Sequence, residues 1–196
     1  ATTARTLPAA NNGREDGVMS FSSDIKEELS RPASAGRHCR LAETAAVLSL
    51  CGKIIITENN RYCVKIQTEN LPVARKYFTL LRKAFNIRAE VAVRKSREAR
   101  FYSVVVRRDR EARRLLSETH LLDADGNIQE CMSPIHNRLL KQNCCRRAFI
   151  RGAFLAAGSV SDPEKSYHFE IVCSSDEKAR QLQVLLGQYG IDARIV

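Results

Sequence analysis

Two acids, Asp123 and Asp125, stand one residue apart in "HLLDADGN", residues 120–127, with a glycine directly after the second. Carboxylates so placed suit a hard divalent cation, and a held cation can activate water against a phosphoester. A calcium-loop reading of the stretch fails, because the loop's last ligand position falls on Pro134, where a bidentate Glu is required. Two further pairs, His38-Cys39 and Cys144-Cys145, offer imidazole and thiol donors to a softer metal. Adjacent residues point apart on a helix or strand, and zinc ligands are usually spaced by about two to four residues. The pairs are therefore expected to be structural thiols, and no metal is assigned. His136 and His168 lack a paired base, and "GSVSDPEK" reads as a turn leaving a helix rather than a phosphate loop. No Ser-His-Asp or Cys-His nucleophile set can be assembled.

The basic residues say more. The chain of 196 residues carries a net charge of +10, and the segment 72–114 alone holds fourteen Lys or Arg against four acids. A block of this kind favours a polyanionic partner, nucleic acid before anionic membrane, the bland alternative being a solvated charged face. No apolar run is long enough to cross a bilayer. Seven cysteines, scattered and odd in number, point to reduced thiols in a cytoplasm rather than a disulfide scaffold. Residues 1–19 are small and polar and read as a disordered leader, with the domain beginning near "MSFSSDIKEELS".

The elements that must position these residues occur twice. "HCRLAETAAVLSLCGKI" (38–54) matches "CCRRAFIRGAFLAAGSV" (144–160) at an offset of 106. "RYCVKIQTEN" (61–70) matches "SYHFEIVCSS" (166–175) at an offset of 105, aligning Tyr62 with Tyr167. "ARKYFTLLRKAFNIRAEV" then matches "ARQLQVLLGQYGIDARIV", so the chain is an internal duplication. Each copy reads as helix, two strands, helix, then more strand. The first helix of each (about 40–51 and 145–157) carries small residues at helical spacing, so Ala46 and Gly152 are expected to let two backbones approach closely. Strands are expected over 53–57 and 61–67, then over 89–93 and 101–107, with a helix from Pro72 between the hairpins and another over 109–118. Copy two stops at "IDARIV", so its last strand and helix are absent. The chain is accordingly expected to be a truncated piece.

This arrangement resembles the LAGLIDADG homing-endonuclease fold: an α+β, duplicated fold of two α-β-β-α-β-β repeats, the second truncated here. The resemblance implies two signature helices side by side at a pseudo-two-fold axis and a saddle of sheets lying along the DNA major groove. It also implies a metal-binding acid just before the glycine that ends each signature helix. At those positions stand Cys51 and Ala157, neither of which holds Mg²⁺. "HLLDADGN" lies outside both helices, with His120 where the signature needs a glycine, so its letters match by chance and it is expected to be a linker turn. Closer still, "SFSSDIKEELSR", "CRLAE" and "CCRRAFIRGAFLAAGSVSDPEKSYHFEIV" resemble WhiA, a family of bacterial DNA-binding regulators of cell division and sporulation.

The domains expected are the leader 1–19, an N-terminal helix with the first repeat over 20–122, a linker over 123–143, and the second repeat over 144–196. The family's C-terminal helix-turn-helix is expected to be missing from this piece. Strand alternation puts Arg61, Lys65, Arg94 and Arg107 on the sheet face opposite the apolar residues, with Lys95, Arg97 and Arg100 at its turn. Such a face suits phosphate contacts with double-stranded DNA. Copy two departs from this, because Glu170 corresponds to Lys65 and Ser166 to Arg61. The reading is a non-catalytic DNA-binding domain of a cytoplasmic, nucleoid-associated regulator, with no cofactor. The alternative is a platform that docks transcription machinery, such as a sigma factor, while a missing domain binds DNA.

Overall fold

The computed structural model describes residues 20–31, 36–97, 99–123, 125–129, 138–164 and 168–196. The expected leader, much of the linker with Pro134 and His136, and the Ser166 and Tyr167 counterparts lie outside that set. The chain runs α1 (Phe21–Ser30), α2 (Arg37–Cys51), β1 (Gly52–Ile56), β2 (Tyr62–Thr68), α3 (Leu71–Phe85), β3 (Glu90–Lys95), β4 (Arg100–Val106) and α4 (Asp109–Glu118). After a 3-10 turn at Arg138–Leu140 it repeats with α5 (Asn143–Ala157), β5 (Gly158–Val160), β6 (Phe169–Ile171) and α6 (Asp176–Gly187). The fold is therefore the α+β duplication that the sequence predicts, with strand ends displaced by a residue or two.

Local chemistry sets the helix ends. Ser20 and Asn70 cap α1 and α3 by accepting from the backbone N–H of Ser23 and Val73. Asn86, at φ 52°, turns the chain out of α3 in the left-handed conformation that asparagine tolerates. The first sheet has the order β1-β2-β4-β3, antiparallel throughout, and the second, among the described residues, pairs β5 with β6. Tyr62, Val64 and Ile66 of β2, with Val104 and Val106 of β4, turn inward onto Tyr77 and Leu81 of α3 and Leu115 and Leu116 of α4, all buried. Residues 191–196, the counterpart of the run leading into β3, form no strand, whereas in copy one β3 pairs with β4.

Helices α2 and α5 are each 15 residues long and pack against one another along their lengths. Cys39 lies beside Cys145, and a Cβ added to Gly152 would come within 3.0 Å of Ala46 Cβ. Both pairings keep the offset of 106, so the helices run parallel and in register, with both N-termini at one end and both C-termini at the other. The added Cβ at Gly152 would also lie 2.6 Å from the carbonyl oxygen of Glu43, closer than real Cβ atoms approach. The close approach expected from the small residues is what the structure has, and only glycine fits there.

Candidate nucleic-acid interface

Antiparallel pairing aligns side chains of like parity across the first sheet, so its open face is fixed by its register. Lys53 pairs with Lys65, Lys65 with Val105, and Val105 with Glu90, which puts two lysines side by side on that face. Arg94 lies on the same face, opposite Phe101. Lys95 and Arg100 pair across the hairpin end, and Arg97 stands in its turn, where the Ser96 hydroxyl accepts from Ala99 N–H at 3.1 Å. Arg61 precedes β2 rather than belonging to it. All but the half-buried Lys65 are exposed.

Arg107 differs from the rest. Its Nε donates to Glu90 at 2.6 Å, and that carboxylate holds the guanidinium pKa above its ordinary value. Among the described residues, Arg107 alone of the seven candidates makes an ion pair. The wider basic block also divides, because Lys76, Arg108, Arg113 and Arg114 have partners within the fold: Glu43, Glu111, Asp109 and the Phe85 carbonyl. Sequence reasoning missed Lys53. The signal was available in the β1 alternation, where Lys53 precedes the inward-facing Ile54.

Copy two keeps the register and changes the chemistry. Ser159 pairs with Glu170 where copy one pairs Lys53 with Lys65, and the Ser159 hydroxyl donates to the Glu170 carboxylate at 2.8 Å. His168 Nε2 lies 3.2 Å from the same carboxylate. Those two contacts, Ser159 first, lower the Glu170 pKa, so this half of the open surface presents an acid.

Cys51 and Ala157 are the last residues of α2 and α5, at the shared C-terminal end. Cys51 donates its thiol to the Val47 carbonyl at 3.1 Å, and burial pushes its pKa up to about 12. A neutral thiol that is already donating is no ligand for a hard cation. Lys26 of α1 sits close enough for its charge to act on Cys51, and burial lowers the lysine's own pKa. In "HLLDADGN" the first acid has other work. The Asp123 carboxylate accepts from the N–H groups of Asp125 and Asn127 and from the side-chain amides of Asn127 and Gln129, at 2.8–3.2 Å. Those bonds, led by the Asn127 N–H, lower its pKa and tie the loop into a turn across the Leu122–Ile128 bridge. Tyr62 Oη donates to the Gly126 carbonyl, fixing the loop to β2. His120, at φ 58°, leaves α4 here.

Two features stand out at the helix pair, the first not foreseen and the second formed by residues set aside above as structural thiols. Glu43 of α2 is fully buried and accepts two hydrogen bonds of 3.0 Å from Arg151 of α5, with Lys76 of α3 at 3.5 Å. At the N-terminal end, His38, Cys39, Cys144 and Cys145 bring their donor atoms within 4.8 Å of one another. His38 Nδ1 lies 3.1 Å from Cys145 Sγ, 3.3 Å from Cys39 Sγ and 3.9 Å from Cys144 Sγ. Sequence-adjacent ligands converge here because parallel helices set each pair against its own counterpart.

Paired parallel helices with a sheet hung from each define the LAGLIDADG-like fold. The chain superposes on the structure titled I-DmoI in complex with DNA and Mn with a TM-score of 0.51 at 15% identity, over 80% of this chain and 82% of that one. It superposes better on the N-terminal LAGLIDADG domain of DUF199/WhiA (TM-score 0.68, 20% identity, 90% of this chain and 78% of that one). Against full-length DUF199/WhiA from Thermatoga maritima the TM-score is 0.67 at 20% identity, over 91% of this chain and 54% of that one. Residues 37–122 match the WhiA N-terminal LAGLIDADG-like domain, and residues 146–196 match the WhiA LAGLIDADG-like domain. Among curated relatives, the probable cell division protein WhiA of Lachnoclostridium phytofermentans is 45% identical over 91% of this chain and 58% of its own length. That of Alkaliphilus oremlandii is 37% identical over 91% and 57%. The chain belongs to the WhiA family, and it spans a little over half the length of the curated relatives it matches. No helix among the described residues is long and apolar enough to cross a membrane.

Proposed function

We propose that this region binds double-stranded DNA without cleaving it, as part of a bacterial regulator of transcription in cell division and sporulation, acting in the cytoplasm at the nucleoid. One observation carries the reading: the open face of the first sheet sets Lys53 beside Lys65, with Arg94, Lys95, Arg97 and Arg100 exposed along the same hairpin. Ammonium and guanidinium groups held on a sheet meet phosphates by charge, which gives affinity and orientation rather than base readout. The neutral Cys51 and the donorless Ala157 support a domain without nuclease chemistry. The acidic Glu170 on copy two favours a second reading for that half, a docking surface for a protein of the transcription machinery such as a sigma factor.

Anisotropy titration of a labelled duplex at two or more salt concentrations tests the reading. Affinity is expected to fall steeply with salt, by a log–log slope of roughly 0.9 per neutralised phosphate. Reversing Lys53, Lys65 and Arg94 to Glu is expected to weaken binding to any sequence and to flatten the slope by about two to three units. Reversing the exposed Arg180 of α6 should change little. Equal affinity and slope in wild type and the triple variant would make the basic sheet a solvated face only.

A further inference from the structure

The N-terminal end of the α2–α5 pair is the part of the molecule that the DNA reading leaves unused. His38 and Cys39 fill the second and third positions of α2, and Cys144 and Cys145 fill the same positions of α5. Because the helices are parallel and in register, two sequence-adjacent pairs become one cluster of one imidazole and three thiols. Cys39 and Cys145 are buried, and His38 and Cys144 are exposed, so the cluster lies at the surface with two ligands rooted in the core. Around a tetrahedral zinc with bonds of about 2.1 Å to nitrogen and 2.3 Å to sulfur, ligand atoms stand about 3.5–3.8 Å apart. The distances from His38 Nδ1, 3.1, 3.3 and 3.9 Å, bracket that range.

Two independent features point to the same ligand. Neither α2 nor α5 has an acidic residue in its first turn, and neither N-cap makes a side-chain hydrogen bond. By contrast, α6 has a serine cap and two first-turn acids, and α4 has two first-turn acids. The positive ends of the two paired helices are thus left to the thiols, and zinc with three thiolates and a neutral imidazole carries a net negative charge that suits them. The second feature is Gly36. A Cβ there would fall 2.4 Å from His38 Nε2, so the absent side chain makes room for the imidazole in this rotamer.

We propose that His38, Cys39, Cys144 and Cys145 form a structural zinc site that clamps the two repeats together at the N-terminal end of their helix pair. All four coordination positions are filled by protein, which leaves none for water or substrate, so the site holds the fold rather than catalysing a reaction. On binding, each of the three thiols gives up its proton to solvent and the metal takes the resulting thiolates. Zinc fits this donor set better than magnesium or calcium, which prefer oxygen.

The test uses the full chain, purified under reducing conditions with zinc in the growth medium. Elemental analysis is expected to find about one zinc per chain. Replacement by cobalt should give the intense visible bands of a tetrahedral ion and a thiolate-to-metal charge-transfer band in the near ultraviolet. Because His38 and Cys144 are exposed, His38→Gln and Cys144→Ser should fold normally by circular dichroism. Each should bind zinc at least tenfold more weakly in competition with a chelator, and Cys144→Ser should lose about a third of the charge-transfer intensity. Cys63→Ser, outside the cluster, should match wild type. A reduced, folded wild type that binds no zinc, a cobalt spectrum without charge transfer, or unchanged affinity in both exposed-site variants would each overturn the assignment.

Discussion

Glu43 has no exposed side-chain surface, and a carboxylate in that setting persists only if cations reach it. Arg151 does so side-on, through Nε and Nη2, and Lys76 adds a third contact from α3. Hydrogen bonding to Glu43 raises the Arg151 pKa, while burial lowers that of Lys76, so the lysine gains least from being there. Glu43→Gln keeps the shape and removes the charge, leaving two cations around a neutral amide. It is expected to cost about 2–3 kcal/mol, below the full value of a broken buried pair because Arg151 is partly open to solvent. Urea unfolding measures this, and a loss under about 0.5 kcal/mol would place the pair among those worth nothing at the surface.

At the scale of elements, the α2–α5 contact depends on the missing Cβ at Gly152. Gly152→Leu must push a branched side chain against the Glu43 carbonyl and Ala46, and overpacking of this kind costs about 1–3 kcal/mol. The melting temperature should fall clearly, whereas Glu164→Leu, in an exposed turn, should leave it near wild type. Equal effects would remove the helix pair as the centre of the fold. This contact was legible in advance, since Ala42, Ala46, Ala148 and Gly152 repeat at helical spacing and at one offset. The inward-facing parity of Tyr62, Val64 and Ile66 was legible for a similar reason, because a strand's period fixes it. The ion pair was not, and the two His–Cys and Cys–Cys pairs, though visible as donors, did not show that they meet. Spacing along the chain describes one element, whereas Glu43 with Arg151, and Cys39 with Cys145, are neighbours only once two helices lie parallel and in register. The Arg107–Glu90 bond was hidden likewise, as cross-strand partners follow from a register that alternation does not specify.

The whole molecule is built on a two-fold that its chemistry does not obey. One sheet offers lysines where the other offers Ser159 and Glu170, and the helix C-termini end in Cys51 and Ala157 rather than a pair of acids. Supercoiled plasmid incubated with the protein and Mg²⁺ or Mn²⁺ is expected to stay intact. Nicking that follows the protein and disappears in Asp123→Asn/Asp125→Asn would restore a catalytic role to this pair, of which Asp123 here ties a loop. The same broken symmetry governs which surfaces find each other while the chain folds in a crowd of its own copies. The residue of α5 equivalent to Glu43 is Phe149, and the residue of α2 equivalent to Arg151 is Ala45. Two first repeats from separate molecules, meeting through α2, would therefore bring two carboxylates together with only their own Lys76 ammonium groups and no guanidinium. Two second repeats would face guanidinium with guanidinium. Only a first repeat against a second gives Glu43 its two-point guanidinium contact, so the buried pair acts as a mating key that favours the unlike partner over the like one.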